Sequence, residues 1–136
     1  MAESARAQVY TASLMRAIGN ILDNAIYALE KKVHQKPDFE PELTISTYLR
    51  SDSIEISIRD NGIGISRLLG ETVFEPFLTT KTPGEGSGLG LTVAFNIAQK
   101  HGGTLKYSSE QGEWTEFLSH WCRRKLTHDP HCDRGR

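Results

Sequence analysis

A helical pattern of apolar residues runs through the first part of the chain. Between residues 13 and 33, apolar side chains recur at steps of three and four, which is the spacing of one buried stripe on an α-helix. Pro37 and Pro41 lie in the polar segment that follows, and they end the helical pattern. The pattern predicts one long amphipathic helix and then a loop. Its stripe consists of Leu14, Ile18, Leu22, Ala25, Ile26, Leu29 and Val33.

Alternating apolar and polar residues predict two short strands after this loop. A period of two places the apolar side chains of each run on one face of a strand. The turn at residues 50–52 lies between the two runs, so we expect an antiparallel hairpin with one buried face. The alternating residues are Leu43, Ile45 and Thr47 in the first run and Ile54, Ile56 and Ile58 in the second.

A glycine-rich segment separates this hairpin from the second regular part of the chain. Residues 60–90 hold seven of the twelve glycines, and an irregular segment of this length inside a domain is usually functional. A second helix is predicted over residues 88–101, ended by Gly102 and Gly103. Residues 103–107 and 115–118 are predicted strands. The inward side chains of the second helix are expected to be Leu91, Ala94, Phe95 and Ala98.

The order of these elements predicts an α+β fold. Strands that are adjacent in sequence pair locally instead of alternating one by one with helices. We therefore expect a two-layer α/β sandwich with the helices on one face of a mixed, largely antiparallel sheet. A chain of 136 residues with 38% hydrophobic composition is long enough for one such domain with a single core.

The charge balance argues against a polyanionic partner. The formal net charge is -1, so no general basic field favours nucleic acid or an anionic membrane surface. No apolar run approaches the roughly 20 residues of a membrane span, and the first residues lack the apolar stretch of a signal peptide. We therefore expect no nucleic-acid binding, no membrane insertion of this segment and a cytoplasmic location.

The string DNGIGI at residues 60–65 directly follows the second predicted strand. An aspartate at a strand end, beside glycines that let a ligand approach the backbone, is suited to accept a hydrogen bond from an exocyclic amine. The same string is also typical of a simple turn after a strand. Taken alone, it leaves both interpretations open.

A second string, GEGSGLGL at residues 84–91, leads into the second predicted helix. Unpaired backbone amides at a helix start favour an anion such as phosphate. The string lacks the Gly-Lys-Ser/Thr of a P-loop. By itself, a glycine run is also typical of a flexible linker.

A third string, NILDNA at residues 20–25, lies inside the first predicted helix. Asn20 and Asn24 are four residues apart and therefore share one helix face. A carboxamide oxygen is a suitable ligand for Mg²⁺ that also carries phosphate oxygens and water. The alternative is a solvated helix face.

Together these strings occur in the order and with the spacing of the GHKL ATPases. Residues 20–28 resemble the N box, residues 60–65 the G1 box, FEPF at residues 74–77 the F box and residues 86–91 the G2 box. FEPF and GSGLGL are similar to the sensor histidine kinases more than to the gyrase, mismatch-repair or chaperone branches. The resemblance, which covers residues 13–118, implies a Bergerat-type fold that binds ATP and Mg²⁺.

The resemblance also implies a role for each matching position. Asn24 would bind Mg²⁺, and Asp60, supported by Thr115, would accept a hydrogen bond from the adenine amine. Lys81, in the expected ATP lid over residues 66–87, would reach a phosphate. The implied catalytic residues are Asn20 and Asn24. The implied nucleotide-binding residues are Asn24, Tyr27, Lys31, Asp60, Gly62, Gly64, Ile65, Phe77, Thr80, Lys81, Gly86, Ser87, Gly88, Leu89, Gly90, Leu91 and Thr115.

Asn20 bears on the reaction that the resemblance implies. In the hydrolysing branches this position resembles a water-activating glutamate, whereas an amide has no useful basicity near neutral pH. We therefore expect transfer of the γ-phosphate of ATP to a histidine, leaving ADP. None of the five histidines has the surroundings of the family's phosphoacceptor. The acceptor is expected on a separate dimerisation domain of the same kinase, with a response regulator as the next partner. The resemblance leaves open that this chain is the cytosolic part of a larger, membrane-bound sensor.

The chain departs from the family pattern in three places. Tyr27 stands where the kinases often have a phosphate-contacting lysine, and Trp114 precedes Thr115 where they have a glycine. After residue 122 the chain becomes polar, so we expect a domain over residues 1–122, without the family's first strand or its dimerisation and phosphoacceptor helices, and a disordered tail over residues 123–136. Two alternatives stay open: a degenerate domain of this fold that acts by protein contact, and an anti-sigma-type serine kinase.

Overall fold

Two α-helices and four strands make up the part of the chain that this computed structural model describes, residues 2–75 and 90–122. The first helix carries both apolar and charged residues along its length. No helix of the described residues combines the length and apolarity needed to cross a membrane. The elements in chain order are α1 (Ala2–Gln35), β1 (Leu43–Leu49), β2 (Ser53–Asp60), a short 3-10 helix (Gly70–Phe74), α2 (Gly90–Lys100), β3 (Thr104–Glu110) and β4 (Trp114–Cys122).

The strands form one sheet in the order β1-β2-β4-β3, and each neighbouring pair is antiparallel. Period-two alternation turns Ile58, Leu105 and Phe117 to the face that both helices cover, where they join the core. β1 lies at the edge and is largely exposed. The predicted two-layer α/β sandwich is confirmed.

The buried face of α1 differs from the predicted stripe. Ile26 and Val33, which were predicted to face inward, are 47% and 37% exposed, so the prediction is wrong for these two residues. The buried face instead includes the small residues Ala17 and Ala28, which a ranking by hydrophobicity places below isoleucine and valine. The residues that α1 buries are Tyr10, Ala17, Ile21, Ala25, Ala28, Leu29 and Lys32.

The second helix follows its prediction closely. Ala94 and Ala98 are buried, as the periodicity indicates. Gly102 has a φ of 77°, which favours glycine. The amide of Gly103 then donates to the carbonyl of Ala98 at 2.8 Å. The predicted glycine stop is therefore confirmed, and it turns the chain directly into β3.

The closing strand is longer than the sequence pattern predicted. β4 continues past Leu118 to Cys122, and Trp121 is 1% exposed in the core. The prediction ended too early because Ser119 and His120 are polar. Ser119 nonetheless faces inward, where its hydroxyl donates to the carbonyl of Ile56 at 3.2 Å. The expected tail over residues 123–136 lies outside the described residues.

Tyr10 joins the first part of α1 to the end of β4. Its hydroxyl accepts a hydrogen bond from the amide of Cys122 at 3.1 Å, and burial raises the pKa of this phenol to about 12. We expect Tyr10→Phe to lower the free energy of unfolding by roughly 1–2 kcal/mol, because the amide loses its acceptor inside the protein. Urea unfolding measures this change. The exposed Tyr48→Phe is the matched control, and equal stability of the two variants would contradict the prediction.

Candidate functional site

Asp60 lies at the end of β2 with its carboxylate inside the protein. The residue is 1% exposed, and its Oδ1 accepts a hydrogen bond from the amide of Gly62 at 2.8 Å. The other oxygen, Oδ2, is buried and has no hydrogen-bond partner within residues 2–75 and 90–122. Burial raises the pKa of this carboxyl from 3.8 to about 6, while the Gly62 amide and the charge of Lys32 act in the opposite direction. An unused acceptor inside a protein is costly, which favours a ligand donor at this position.

The turn that follows Asp60 is packed between α1 and the connection from β3 to β4. A Cβ on Gly62 would lie 2.6 Å from the backbone carbon of Ala28, so only glycine fits there. Gly64 has a φ of 72°, and a Cβ on it would collide with the carbonyl oxygen of Glu110. Both glycines were predicted to line a base pocket. In this fold, the absence of a side chain at each glycine lets the turn that carries Asp60 pack against α1 and the end of β3.

Ser109 on β3 connects this turn to β4. Its hydroxyl accepts from the amide of Ile65 at 2.8 Å and donates to the carbonyl of Trp114 at 2.7 Å. It also lies 3.0 Å from the hydroxyl of Thr115. Because a serine hydroxyl has one proton, which the Trp114 carbonyl takes, Thr115 donates in this contact. Thr115 is buried and directly pairs with Asp60, so its side chain lies on the same face of the sheet as the carboxylate.

One face of α1 spans the distance between this turn and the start of α2. Asn20, Asn24 and Ala28 recur every four residues and share that face. At one end, a Cβ on Gly90 would lie 3.9 Å from the Cβ of Asn20, and at the other end Gly62 packs on Ala28. Eight residues of α-helix separate the two ends by about 12 Å. The half-buried Asn24 therefore lies midway between a buried carboxylate and the amide-rich start of a helix.

Two further predicted nucleotide-binding residues lie on α1 after Asn24 in the chain. Tyr27 and Lys31 are half-buried, and the Nζ atom of Lys31 is 5.5 Å from the centre of the Tyr27 ring. This cation–π distance orders the lysine on the helix face. Leu91 is half-buried in the first turn of α2. Predicted residues outside the described residues are Phe77, Thr80, Lys81, Gly86, Ser87, Gly88 and Leu89.

The F-box phenylalanine that precedes these residues is a core residue. Phe74 is 7% exposed, and its ring stacks on that of Phe95 at 4.8 Å. The hydroxyl of Thr92 in α2 donates to the carbonyl of Phe74 at 2.8 Å. These contacts attach the segment before residue 76 to α2.

Trp114, which departs from the family pattern, lies on the outer face of the sheet. The guanidinium carbon of Arg59 is 4.2 Å from the centre of the Trp114 ring. Adjacent strand residues point to opposite faces, so Asp60 and Thr115 face the helices while Arg59 and Trp114 face away from them. The large ring therefore leaves the surroundings of the Asp60 carboxylate unobstructed.

The sequence interpretation missed Ser109 and Lys32. Lys32 continues the spacing of Ile21, Ala25 and Ala28 along the buried face of α1, so that periodicity was an available signal for a buried lysine. Ser109 had a weaker signal, because it is one of two adjacent serines in a polar strand. Its hydrogen-bond partners lie in two segments, the turn at Ile65 and the start of β4, and the fold brings the first of these to β3.

Comparison with known families agrees with this geometry. Residues 10–124 match the family described as histidine kinase-, DNA gyrase B- and HSP90-like ATPases. Because the match extends over most of its length, the chain belongs to this ATPase family. The predicted resemblance to the GHKL ATPases is thus confirmed.

Individual relatives are sensor kinases. The autoinducer sensor kinase/phosphatase CqsS of Vibrio cholerae is 37% identical over 105 residues, which are 77% of this chain and 14% of CqsS. The two-component sensor PprA of Pseudomonas aeruginosa is 46% identical over 65 residues, 48% of this chain and 7% of PprA. The solved structure of the mycobacterial sensor histidine kinase MprB aligns with a TM-score of 0.66 and 28% identity, over 82% of this chain and 72% of that one. The chain thus spans a small part of these curated relatives and is of the histidine kinase type within the family.

Proposed function

We propose that this chain is the catalytic, ATP-binding domain of a two-component sensor histidine kinase. In this proposal it binds Mg·ATP and donates the γ-phosphate to a histidine on a separate dimerisation domain, from which a response regulator receives it. The observation that carries the proposal is the buried Oδ2 of Asp60, an acceptor without a donor in the described protein. The relatives are sensor kinases, so neither the anti-sigma-type serine kinase nor a degenerate binding module is favoured. A cytoplasmic location stays a prediction.

The base end of the site is suited to an amine. Oδ2 of Asp60 accepts only, and the proton of the Thr115 hydroxyl is used by Ser109. Two acceptors on paired residues favour a ligand group that donates hydrogen bonds, as the exocyclic amine of adenine does. A keto group in the same place would put oxygen against oxygen. The chemistry of the site therefore supports ATP or ADP over a guanine nucleotide.

The phosphate end of the site would combine the start of α2 with Asn24. The first backbone amides of a helix and its dipole favour an anion. The carboxamide oxygen of Asn24 is a ligand type that fits Mg²⁺ already bound to phosphate, and the position of Asn24 between the two ends is consistent with that role. The predicted lid residue Lys81 would add positive charge. Lys31, seven residues after Asn24 and therefore about 10 Å further along α1, lies toward the Asp60 end instead. When bound, the metal would neutralise the charge of the transferred phosphate.

The residue at position 20 supports transfer over hydrolysis. Asn20 is next to Gly90, near the expected phosphates, and a carboxamide does not take a proton from water near neutral pH. The acceptor imidazole of the partner domain would instead approach in line with the leaving oxygen. On its own, the chain is therefore expected to bind ATP with little turnover.

Titration calorimetry of ATP and ADP with and without Mg²⁺ tests the binding half of the proposal. We expect Mg²⁺ to strengthen ATP binding to the native chain. In Asn24→Ala this increase in affinity should be smaller by about tenfold or more, because loss of even an outer-shell residue of a metal site has an effect of that size. Asn96→Ala, an exposed asparagine on α2, is the matched control. A Mg²⁺ dependence that survives Asn24→Ala unchanged would contradict the metal assignment.

Phosphotransfer tests the catalytic half of the proposal. The chain is incubated with γ-labelled ATP and dimerisation domains from related sensor kinases. The expected label on the acceptor is lost in acid, because phosphohistidine is acid-labile. An acid-stable label would instead indicate a serine kinase, and phosphate release at the same rate without any acceptor would indicate hydrolysis.

A further inference from the structure

Lys32 is a buried lysine whose ammonium has a defined set of partners. Its side chain extends from the buried face of α1, and the residue is 8% exposed. The Nζ atom donates to the carbonyl of Asn61 at 3.1 Å and to the carbonyl of Gly112 at 2.9 Å. It also lies 4.7 Å from the centre of the Phe39 ring. A lysine is rarely buried to this extent unless it is paired, so this arrangement requires an explanation.

The two carbonyls belong to the two segments that flank the candidate site. Asn61 directly follows Asp60, and Gly112 lies in the connection between β3 and β4. The amide of Gly112 in turn donates to the carbonyl of Ile63 at 2.6 Å. One ammonium therefore attaches both segments to α1, the helix that also carries Asn20 and Asn24. An apolar side chain of similar length would leave both carbonyls without this donor.

The charge of Lys32 also reaches the carboxylate of Asp60, where it favours the ionised form. The other groups around this carboxylate do not replace that charge. The paired residues Leu43 and Thr115 are uncharged, and the Gly62 amide contributes a hydrogen bond only. The strand neighbours of these pairs, Arg59 and Glu116, point to the opposite face of the sheet. Lys32 is thus the charged side chain that acts on Asp60 among the described residues.

We propose that Lys32 is a positioning residue for the nucleotide: through its two carbonyl partners it holds the turn that carries Asp60 against α1, so that Oδ2 is in place to accept from the base. This proposal rests on the proposed function, because it assumes that Asp60 reads the base. It assigns a role to a residue that touches neither the base nor the phosphates. The role separates into a clamp, which any replacement weakens, and a charge, which arginine retains and methionine removes.

The test compares Lys32→Met, Lys32→Arg and the exposed control Lys36→Met in ADP titrations between pH 5 and pH 8. Since the phosphates of ADP titrate identically for every variant, differences between variants report the protein. In the native chain we expect affinity to fall as the pH drops through about 6, where Asp60 takes up a proton. Lys32→Met should move this midpoint to higher pH, because the opposite charge that favours the ionised carboxyl is lost. Affinity should then fall by a larger factor at pH 6 than at pH 8.

Lys32→Arg should bind more weakly at every pH but keep the native midpoint, and Lys36→Met should match the native chain. A Lys32→Met variant that loses affinity equally at all pH values would overturn the proposal, because a purely structural role has that signature. If this variant does not fold, Lys32→Gln removes the charge with one donor group kept and has the same expected midpoint shift. Carbon-detected NMR titration of the Asp60 carboxyl without nucleotide gives the shift independently. A native chain that binds no nucleotide at any pH refutes the proposed function instead.

Discussion

Asp60→Asn is expected to remove detectable ATP binding while leaving the fold at least as stable at neutral pH. The substitution keeps the size of the side chain and an oxygen for the Gly62 amide, but it puts an NH₂ group where Oδ2 was. Two donors then face each other when an adenine amine enters. Loss of a hydrogen bond to a charged group costs roughly 1.5–3 kcal/mol, and we expect affinity to fall about 100-fold once the opposed donors are included.

The stability half of this prediction follows from the pKa of Asp60. Burial raises it from 3.8 to about 6, so the folded chain binds this proton more tightly than the unfolded chain. Between about pH 4 and 6 the carboxyl is mostly protonated in the folded chain and mostly ionised in the unfolded chain. The free energy of unfolding therefore falls as the pH rises through that window. Above about pH 6 the penalty is complete, on the order of 3 kcal/mol. Asn carries no such penalty.

Calorimetric titration and urea unfolding at pH 7 measure the two halves separately. The exposed Asp38→Asn is the control, and it should change neither affinity nor stability. Retained affinity in Asp60→Asn would remove the base-reading role. A loss of stability as large as the loss of affinity would mean that the substitution acts by unfolding the turn.

Gly62→Ala is expected to lower the stability of the fold substantially. Its Cβ would lie 2.6–2.8 Å from the backbone carbon, carbonyl oxygen and Cβ of Ala28. None of these atoms is the end of a flexible side chain, so the turn must move away from α1. Overpacking of this kind typically costs about 1–3 kcal/mol, and nucleotide binding should be lost with it, because the displaced turn carries Asp60.

Gly19→Ala is the matched control for this prediction. A Cβ on Gly19 meets nothing within 4 Å, and the residue lies inside α1. Alanine there should raise the free energy of unfolding by about 0.5–1 kcal/mol. Thermal unfolding of the two variants should therefore give shifts of opposite sign. A Gly62→Ala variant with the native melting temperature would show that the turn is not held against α1.

The elements that the sequence predicts well are those whose signal is local. Period-two and helical patterns identified the strands and helices, and three polar strings identified Asn24, Asp60 and the start of α2. Pairings between distant segments were not accessible in the same way. The close packing of Gly62 on Ala28 and the burial of Trp121 near the end of β4 are of this kind. Neither leaves a periodic signal.

The same division applies to the candidate site. Motif strings indicated candidate residues for the chemistry, but not which residues position those candidates. Lys32 and Ser109 make their contacts with backbone groups, and such contacts depend on the fold alone. The Trp114 ring points to the outer face of the sheet because of the strand register. The sequence pattern alone did not determine that register. The roles assigned to the individual nucleotide-binding residues, including those between residues 76 and 89, stay predictions.

The continuous helix under the candidate site has a consequence for how ligand fragments would behave. Because α1 holds Ala28 and Asn20 about 12 Å apart, a free nucleoside would bind at one end and a free polyphosphate at the other. Neither fragment would help the other to bind. Covalently joined, they would gain from effective concentration in a way that the separate pieces do not. The fixed separation would thus favour intact nucleotides over their fragments, in addition to the contacts that a fragment lacks.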